Sequence, residues 1–184
     1  MYKGLYDYVS ACVTCQARAL KKQKTPVQEM DVPPYPFARV SVDLSGPYPK
    51  SLSGNKYIVA FVDHYSGWPE AFAVPDKSAD TIAQQLTEEV IPRHSCPLQI
   101  VSDNGTENVN KIMAETLKDM NVDHATTSFC HPQSNAKVER FHRTLDDTMS
   151  KKIEDDLTTW DMHLIQTLSA VRVSVSSSSS SSIP

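Results

Sequence analysis

Residues 57–74 read YIVAFVDHYSGWPEAFAV, and their pattern decides the architecture. Tyr57 to Val62 is a near-continuous apolar run, as expected of a strand buried on both faces. Asp63-His64-Tyr65-Ser66-Gly67 is turn chemistry. Trp68 to Val74 then returns as a second strand, so the segment predicts an antiparallel hairpin, with Pro69 suited to a strand end or an edge. Upstream, Ala38 to Leu44 (ARVSVDL) alternates and is rich in β-branched residues, which reads as a strand closed by Gly46-Pro47-Tyr48-Pro49. Downstream the period changes. Ser78 to Ile91 is a helix with Ser78 as N-cap and Ile82, Leu86 and Val90 spaced by four. Leu98 to Ser102 is a short strand, Asn108 to Met120 a helix and Val122 to Thr126 a brief strand. A long helix follows from Ser134 to about Leu157, with Val138, Phe141, Leu145, Met149 and Ile153 as its apolar stripe, and another from Trp160 to about Arg172. Three strands followed by alternating helix and strand predict a mixed α/β sheet with a meander at its start and crossovers after it.

The 184 residues, 40% hydrophobic and 22% charged, suit one soluble domain with a small appendage. No run of roughly 18 apolar residues offers a membrane span, and MYKGLYDYVSACVTC lacks the cationic start and apolar centre of a signal peptide. Four cysteines without a secretory signal point to a reducing compartment. Four zones are expected: a basic stretch 1–24 containing Cys12 and Cys15, a proline-rich linker 25–35, a main domain 36–172, and a serine-rich disordered tail 173–184. The net charge of −4 argues at first against a nucleic-acid partner, yet it divides into +3 over residues 1–42 and −7 over the rest. Some of that acidity could be solvated surface, and some could be carboxylates gathered at a metal, where a bound cation reverses the local sign.

Three acids stand at element ends. Asp43 lies toward the end of the first strand, Asp103 directly follows the fourth, and Glu139 is early in the long helix, next to Val138 of its apolar stripe. Ligands gather at strand carboxyl ends in open sheets, so Asp43 and Asp103 could share a cation if their strands are neighbours. Each acid alone has a plainer reading, because Asp-Asn-Gly forms turns and a Glu near a helix start complements the dipole.

The conjunction is more specific. Asp43 precedes Asp103 by 60 positions, and 35 residues separate Asp103 from Glu139. This resembles the Asp, Asp-35-Glu catalytic core of retroviral and retrotransposon integrases. The strings Ser102-Asp103-Asn104-Gly105-Thr106, His131-Pro132-Gln133-Ser134-Asn135 and Val138-Glu139-Arg140 resemble gypsy-type integrases in particular. Asp63 to Pro69 and Trp160-Asp161 leading to Ala170-Val171-Arg172 do so as well. The resemblance implies a ribonuclease-H-like mixed five-stranded sheet flanked by helices. It also implies a polynucleotidyl transferase that performs 3′-end processing and strand transfer of retroelement DNA into target DNA.

By the same resemblance, Asp43, Asp103 and Glu139 would be both catalytic residues and ligands of two Mg²⁺ or Mn²⁺ ions. Hard cations prefer carboxylate oxygens, whereas Cys or His would favour Zn²⁺. Two Mg²⁺ would bring the net charge of −4 to about 0. Lys137, Arg140, His142 and Arg143 form a basic cluster around Glu139. Together with Asn135 they are candidate DNA contacts, and ion pairing with Asp146 and Asp147 is the alternative for the basic ones. Ala136 stands where the family usually has glycine. Cys12-Val13-Thr14-Cys15 resembles the end of the family's His-His-Cys-Cys zinc module, but the first histidine is His64, so a truncated, partial zinc site is expected and bound Zn²⁺ is not. Inert thiols and a redox CxxC are the other readings of that pair. DNA (element ends and target) and a second copy of the chain are the implied partners, with no membrane, in an intracellular setting such as the nucleus or an element particle. A non-catalytic DNA-binding or dimerising relic of a decayed integrase is the alternative function.

Overall fold

The computed structural model describes Gly4, Ala11 and residues 33–102, 117–126, 136–151, 153 and 156–179. The chain divides into two units, Met1–Asp31 and Val32–Pro184. In the first, Gly4 and Ala11 are helical, while Cys12 and Cys15 lie outside the described residues.

The second unit contains strands β1 (Arg39–Ser45), β2 (Tyr57–Asp63), β3 (Pro69–Val74), β4 (Gln99–Ser102) and β5 (Asp123–Thr126). They form a five-stranded sheet in the order β3-β2-β1-β4-β5. β1–β2 and β2–β3 are antiparallel, while β1–β4 and β4–β5 are parallel. The expected meander and crossovers are therefore both present. The helices whose full extent lies among the described residues are α1 (Ala79–Gln85), α2 (Ile91–His94), α3 (Ala136–Ser150) and α4 (Trp160–Ser179).

Burial on both faces explains the apolar run of β2. Val59 and Phe61 pack on one side with Val40, Val42, Ile82, Leu86 and Ile100. Ile58, Ala60 and Val62 pack on the other with Val138, Phe141, Leu145, Trp160 and Leu164. Each such Val, Leu, Ile or Phe side chain, fully removed from water, contributes about 1.5–3 kcal/mol before chain entropy is counted. The α3 stripe is the one read from its sequence spacing.

Three element boundaries differ from the sequence expectation. The helix from Ser78 starts as expected, with the Ser78 hydroxyl accepting the Thr81 N–H. However, Leu86–Val90 form a π turn in which the Ile91 N–H reaches back to the Leu86 carbonyl. Pro92 supplies the reason: it has no N–H and its ring would crowd the carbonyl four residues earlier, so the widened turn precedes it. Helix α3 ends at Ser150 rather than near Leu157, and Leu157–Thr159 instead form a separate 3₁₀ turn opened by Asp156, which accepts the Thr158 N–H. Against the expectation of disorder from residue 173, α4 continues to Ser179. Extending an existing helix adds one hydrogen bond per residue ordered, and serine opposes that only weakly. The helix expected over 108–120 is described only from residue 117 onward, where 117–119 are helical. Among the described residues, no helix is long and apolar enough to cross a membrane.

Two of the sequence strings that marked the resemblance prove to be fasteners. Asp63, fully buried, accepts the backbone N–H groups of Phe37 (2.9 Å), Tyr65 (3.1 Å) and Ser66 (2.8 Å) and the Ser66 hydroxyl. Glu70, only 4% exposed, receives Trp68 Nε1 (3.2 Å), His94 Nε2 (2.8 Å), Arg93 (3.3 Å) and Arg172 (2.6 Å). Arg172 also donates to the Pro69 carbonyl and lies 4.7 Å from the Trp68 ring centre. The Trp68-Pro69-Glu70 and Ala170-Val171-Arg172 strings are thus two halves of one junction between β3 and α4.

Burial pushes the Glu70 carboxyl up, but the His94 and Trp68 hydrogen bonds and the Arg172 charge outweigh it and hold the group below its ordinary value of 4.5. A depressed folded-state value contributes stability that is present above about 4.5 and lost as pH falls through the lower value. Glu70→Gln is therefore expected to cost about 1–3 kcal/mol at neutral pH, by removing the charge that the partly exposed Arg93, His94 and Arg172 share as a hydrogen-bond acceptor. It should also flatten the acid limb of stability against pH, measured by urea unfolding. A variant with wild-type stability and the wild-type acid limb would contradict this.

Candidate active site

The alternation of β1 sets the site. Val40, Val42 and Leu44 face the α1 side of the sheet. Successive strand residues point to opposite faces, so Ser41, Asp43 and Ser45 face the α3 side. Asp43 lies opposite Ala60 of β2. On the other side, Val42 pairs in parallel with Ser102, the last residue of β4. Asp103 follows Ser102 in the chain and lies outside the described residues.

Helix α3 supplies the opposing wall. Its buried stripe of Val138, Phe141, Leu145 and Met149 packs on the sheet. Glu139 stands in the first turn, exposed to solvent. One turn further, His142 is 7% exposed, and its Nε2 lies 3.6 Å from Asp43 Oδ2. Neither ring nitrogen of His142 has a hydrogen-bond partner among the described residues. Burial pushes the imidazole down, against the pull of the Asp43 and Asp146 charges, and the net shift is below the ordinary histidine value. Burial of the ring thus disfavours its charged form. The other Asp43 oxygen, Oδ1, accepts the Leu44 N–H at 2.8 Å.

A turn beyond His142, Asp146 Oδ1 accepts the Tyr48 hydroxyl at 2.6 Å, and that hydroxyl lies 2.8 Å from Ser45 Oγ. Burial, with the Asp146 carboxylate beside it, raises the Tyr48 phenol well above its ordinary value. Asp147 pairs instead with Lys151 at 2.7 Å. Among the described residues, the exposed Arg140 and Arg143 form no ion pair. Of the candidate DNA contacts, then, Arg140 and Arg143 are presented to solvent, while His142 is turned inward toward Asp43. Asn135 and the Lys137 side chain lie outside the described residues.

The structure thus brings Asp43 against the helix turn that follows Glu139. Among the described residues no three His, Cys, Asp or Glu side chains converge as a metal site, and Asp103 is not among those residues. The donors fit a hard divalent cation: Asp43 and Glu139 offer carboxylate oxygens, and both reach solvent. Sequence reasoning missed Tyr48 and weighed Asp146 only as an ion-pair partner. The available signal was spacing, since Asp146 is seven residues, or two turns, from Glu139 on the same helix.

The Trp160-Asp161 pair fastens the start of α4. Trp160 Nε1 donates to the Pro49 carbonyl at 2.7 Å. Asp161 Oδ2 accepts Ser51 Oγ (2.7 Å) and Asn55 Nδ2 (2.9 Å). The loop leaving β1 is thereby held against the helical layer that carries Glu139.

Comparison with known proteins agrees with this architecture. Over 165 residues the chain is 35% identical to the retrovirus-related Pol polyprotein from transposon 412 of Drosophila melanogaster. That alignment takes in 89% of this chain but only 13% of the polyprotein, so the chain spans a small part of the relative's length. Among solved structures, a chain of the simian T-cell lymphotropic virus intasome, determined in complex with PP2A regulatory subunit B56 gamma, superposes with a TM-score of 0.64 at 18% identity. It covers 91% of this chain and 59% of that one. The catalytic core domain of BIV integrase superposes with a TM-score of 0.55 at 24% identity, covering 72% and 81% respectively. At these identities the likeness is one of fold, and it identifies the mixed five-stranded sheet flanked by helices as ribonuclease-H-like. Residues 33–133, more than half of the chain, match the family described as Integrase core domain, and the chain belongs to that family.

Proposed function

We propose that this chain is the catalytic core of a retroelement integrase, a metal-dependent polynucleotidyl transferase acting on DNA ends and target DNA. The observation that carries the reading is the approach of His142 to Asp43, because it brings the β1 carboxylate to the turn of α3 that begins with Glu139. Family membership supports DNA integration as the general process.

In this reading Asp43, Asp103 and Glu139 would hold the divalent ions. Those ions, when bound, would activate the oxygen nucleophile and neutralise charge on the phosphate and the leaving oxygen. The chain's own residues do the rest. Asp43 and Glu139 offer carboxylates from opposing walls. The buried His142 ring stands beside Asp43, 3.6 Å from its carboxylate. Arg140 and Arg143, solvent-facing and without carboxylate partners among the described residues, are suited to DNA phosphates, and Asn135 and Lys137 extend that stretch. In end processing a water oxygen bonds to phosphorus as the bond to the 3′ oxygen breaks. In strand transfer the freed 3′-hydroxyl oxygen takes the same role on target DNA. The gypsy-type affinity, the remnant zinc module at Cys12 and Cys15, and assembly with a second copy belong to this proposal, as does a nuclear or particle setting.

A disintegration assay on the full chain with Mn²⁺ tests the assignment. Asp43→Asn and Glu139→Gln should each lose at least about 100-fold in rate, the scale of several kcal/mol of lost charge stabilisation. Equal activity in wild type and Glu139→Gln would refute the catalytic assignment and favour the non-catalytic relic. Metal should also stabilise the fold. At a hundredfold excess over its dissociation constant, an ion binding only the native state adds about 2.7 kcal/mol. That is a rise of several degrees in Tm for a domain of this size (about 2–4 °C per kcal/mol). A Tm indifferent to Mg²⁺ and Mn²⁺ would contradict the metal site.

A further inference from the structure

Tyr48 is held more firmly than a loop tyrosine requires. It leaves β1 through Gly46, whose φ of +122° suits glycine and where a Cβ would come within 2.8 Å of the Lys56 carbonyl oxygen. That carbonyl accepts the Tyr48 N–H at 2.7 Å. The Tyr48 ring packs on Trp160, centre to centre 5.1 Å, at the start of α4. Its hydroxyl then reaches Asp146 of α3 at 2.6 Å. Tyr48 stands five positions after Asp43, and two helical turns, about 10 Å, separate Asp146 from Glu139.

The bond therefore ties the strand exit that carries Asp43 directly to the helix that carries Glu139. Apolar packing of the α3 stripe fixes the distance of the helix from the sheet, but a row of methyl and ring contacts resists sliding along the helix axis only weakly. A directional hydrogen bond between fixed points on each element resists that slide. The geometry points to Tyr48, acting through Asp146, as a positioning residue that sets the register of Glu139 against Asp43. This inference rests on the reading of those two carboxylates as metal ligands. The outward-facing Met162, Ile165 and Val173 of α4 form the other conspicuous surface feature, but nothing in the structure shows what covers them.

Calorimetric titration of the full chain with Mn²⁺ tests the inference without relying on turnover. Tyr48→Phe keeps the ring and its packing on Trp160 and removes only the hydroxyl, and Asp146→Ala removes the acceptor. Each should weaken Mn²⁺ binding about 10-fold, the scale seen when groups supporting a metal ligand are removed. Because the two act as one bond, the double variant should bind no more weakly than Asp146→Ala alone. Wild-type Mn²⁺ affinity in Tyr48→Phe would overturn the inference. So would effects that multiply to about 100-fold in the double variant, the mark of independent sites. Asp43→Asn separates the two levels of the argument. If it abolishes Mn²⁺ binding while Tyr48→Phe does not weaken it, the positioning role alone falls. If wild type and Asp43→Asn bind Mn²⁺ alike, or neither binds it, the metal reading falls and the positioning role with it.

Discussion

Ile58, Ala60 and Val62 of β2 meet Val138, Phe141 and Leu145 of α3 in one dry layer, and the proposed site depends on that contact. β2 is an interior strand between β3 and β1, buried on both faces, so it cannot readily move to accommodate a helix packed against it. β1 is hydrogen-bonded along its length to β2, and its odd-numbered residues face the same layer. Packing α3 there necessarily brings its polar edge, with Glu139, His142 and Asp146, over the end of β1. The site is thus the polar margin of a hydrophobic contact. Polar bonds at that margin, Tyr48 to Asp146 above all, refine a placement that apolar burial creates.

The acids of this chain sit in two distinct settings, which the overall charge of −4 conceals. Asp63, Glu70 and Asp161 are structural acceptors, each taken up by backbone amides, hydroxyls, an amide side chain or cationic side chains. They join the β2–β3 turn, the β3–α4 junction and the loop leaving β1. Asp43 and Glu139 are different, since both reach solvent beside one another's elements. Counting carboxylates therefore could not have separated fasteners from the proposed ligands; only their surroundings do so. The same separation applies to the basic residues: Arg172 is committed to Glu70 and Pro69, while Arg140 and Arg143 face outward.

Much of the architecture was legible because two periods are hard to mistake. The double-sided run of β2, the alternation of β1 and the four-residue spacing on α3 each map directly onto observed burial. The placement of Asp43 followed from β1 alone, and that of Glu139 from its position beside Val138. What was not legible depends on contacts between residues distant in the chain, or on local exceptions. Tyr48 and Asp146 are 98 positions apart, and no local pattern joins them. The inward turn of His142 follows from the helix phase, but its basic neighbours disguised it as part of a surface cluster. The π turn before Pro92 is a steric accommodation that the periodic pattern masks, and the 3₁₀ turn capped by Asp156 lies within a stretch the spacing reads as one helix. Cys12, Cys15 and Asp103 fall outside the described residues.

The most direct test of the central claim is a crystal structure of the full chain grown with Mn²⁺, read by anomalous scattering. The account predicts anomalous peaks at the carboxyl ends of β1 and β4, with carboxylate oxygens of Asp43 and Asp103 about 2.1 Å from metal and Glu139 completing the set from α3. Mn²⁺ bound away from Asp43, or a Glu139 carboxylate turned away from a metal held by Asp43, would contradict it.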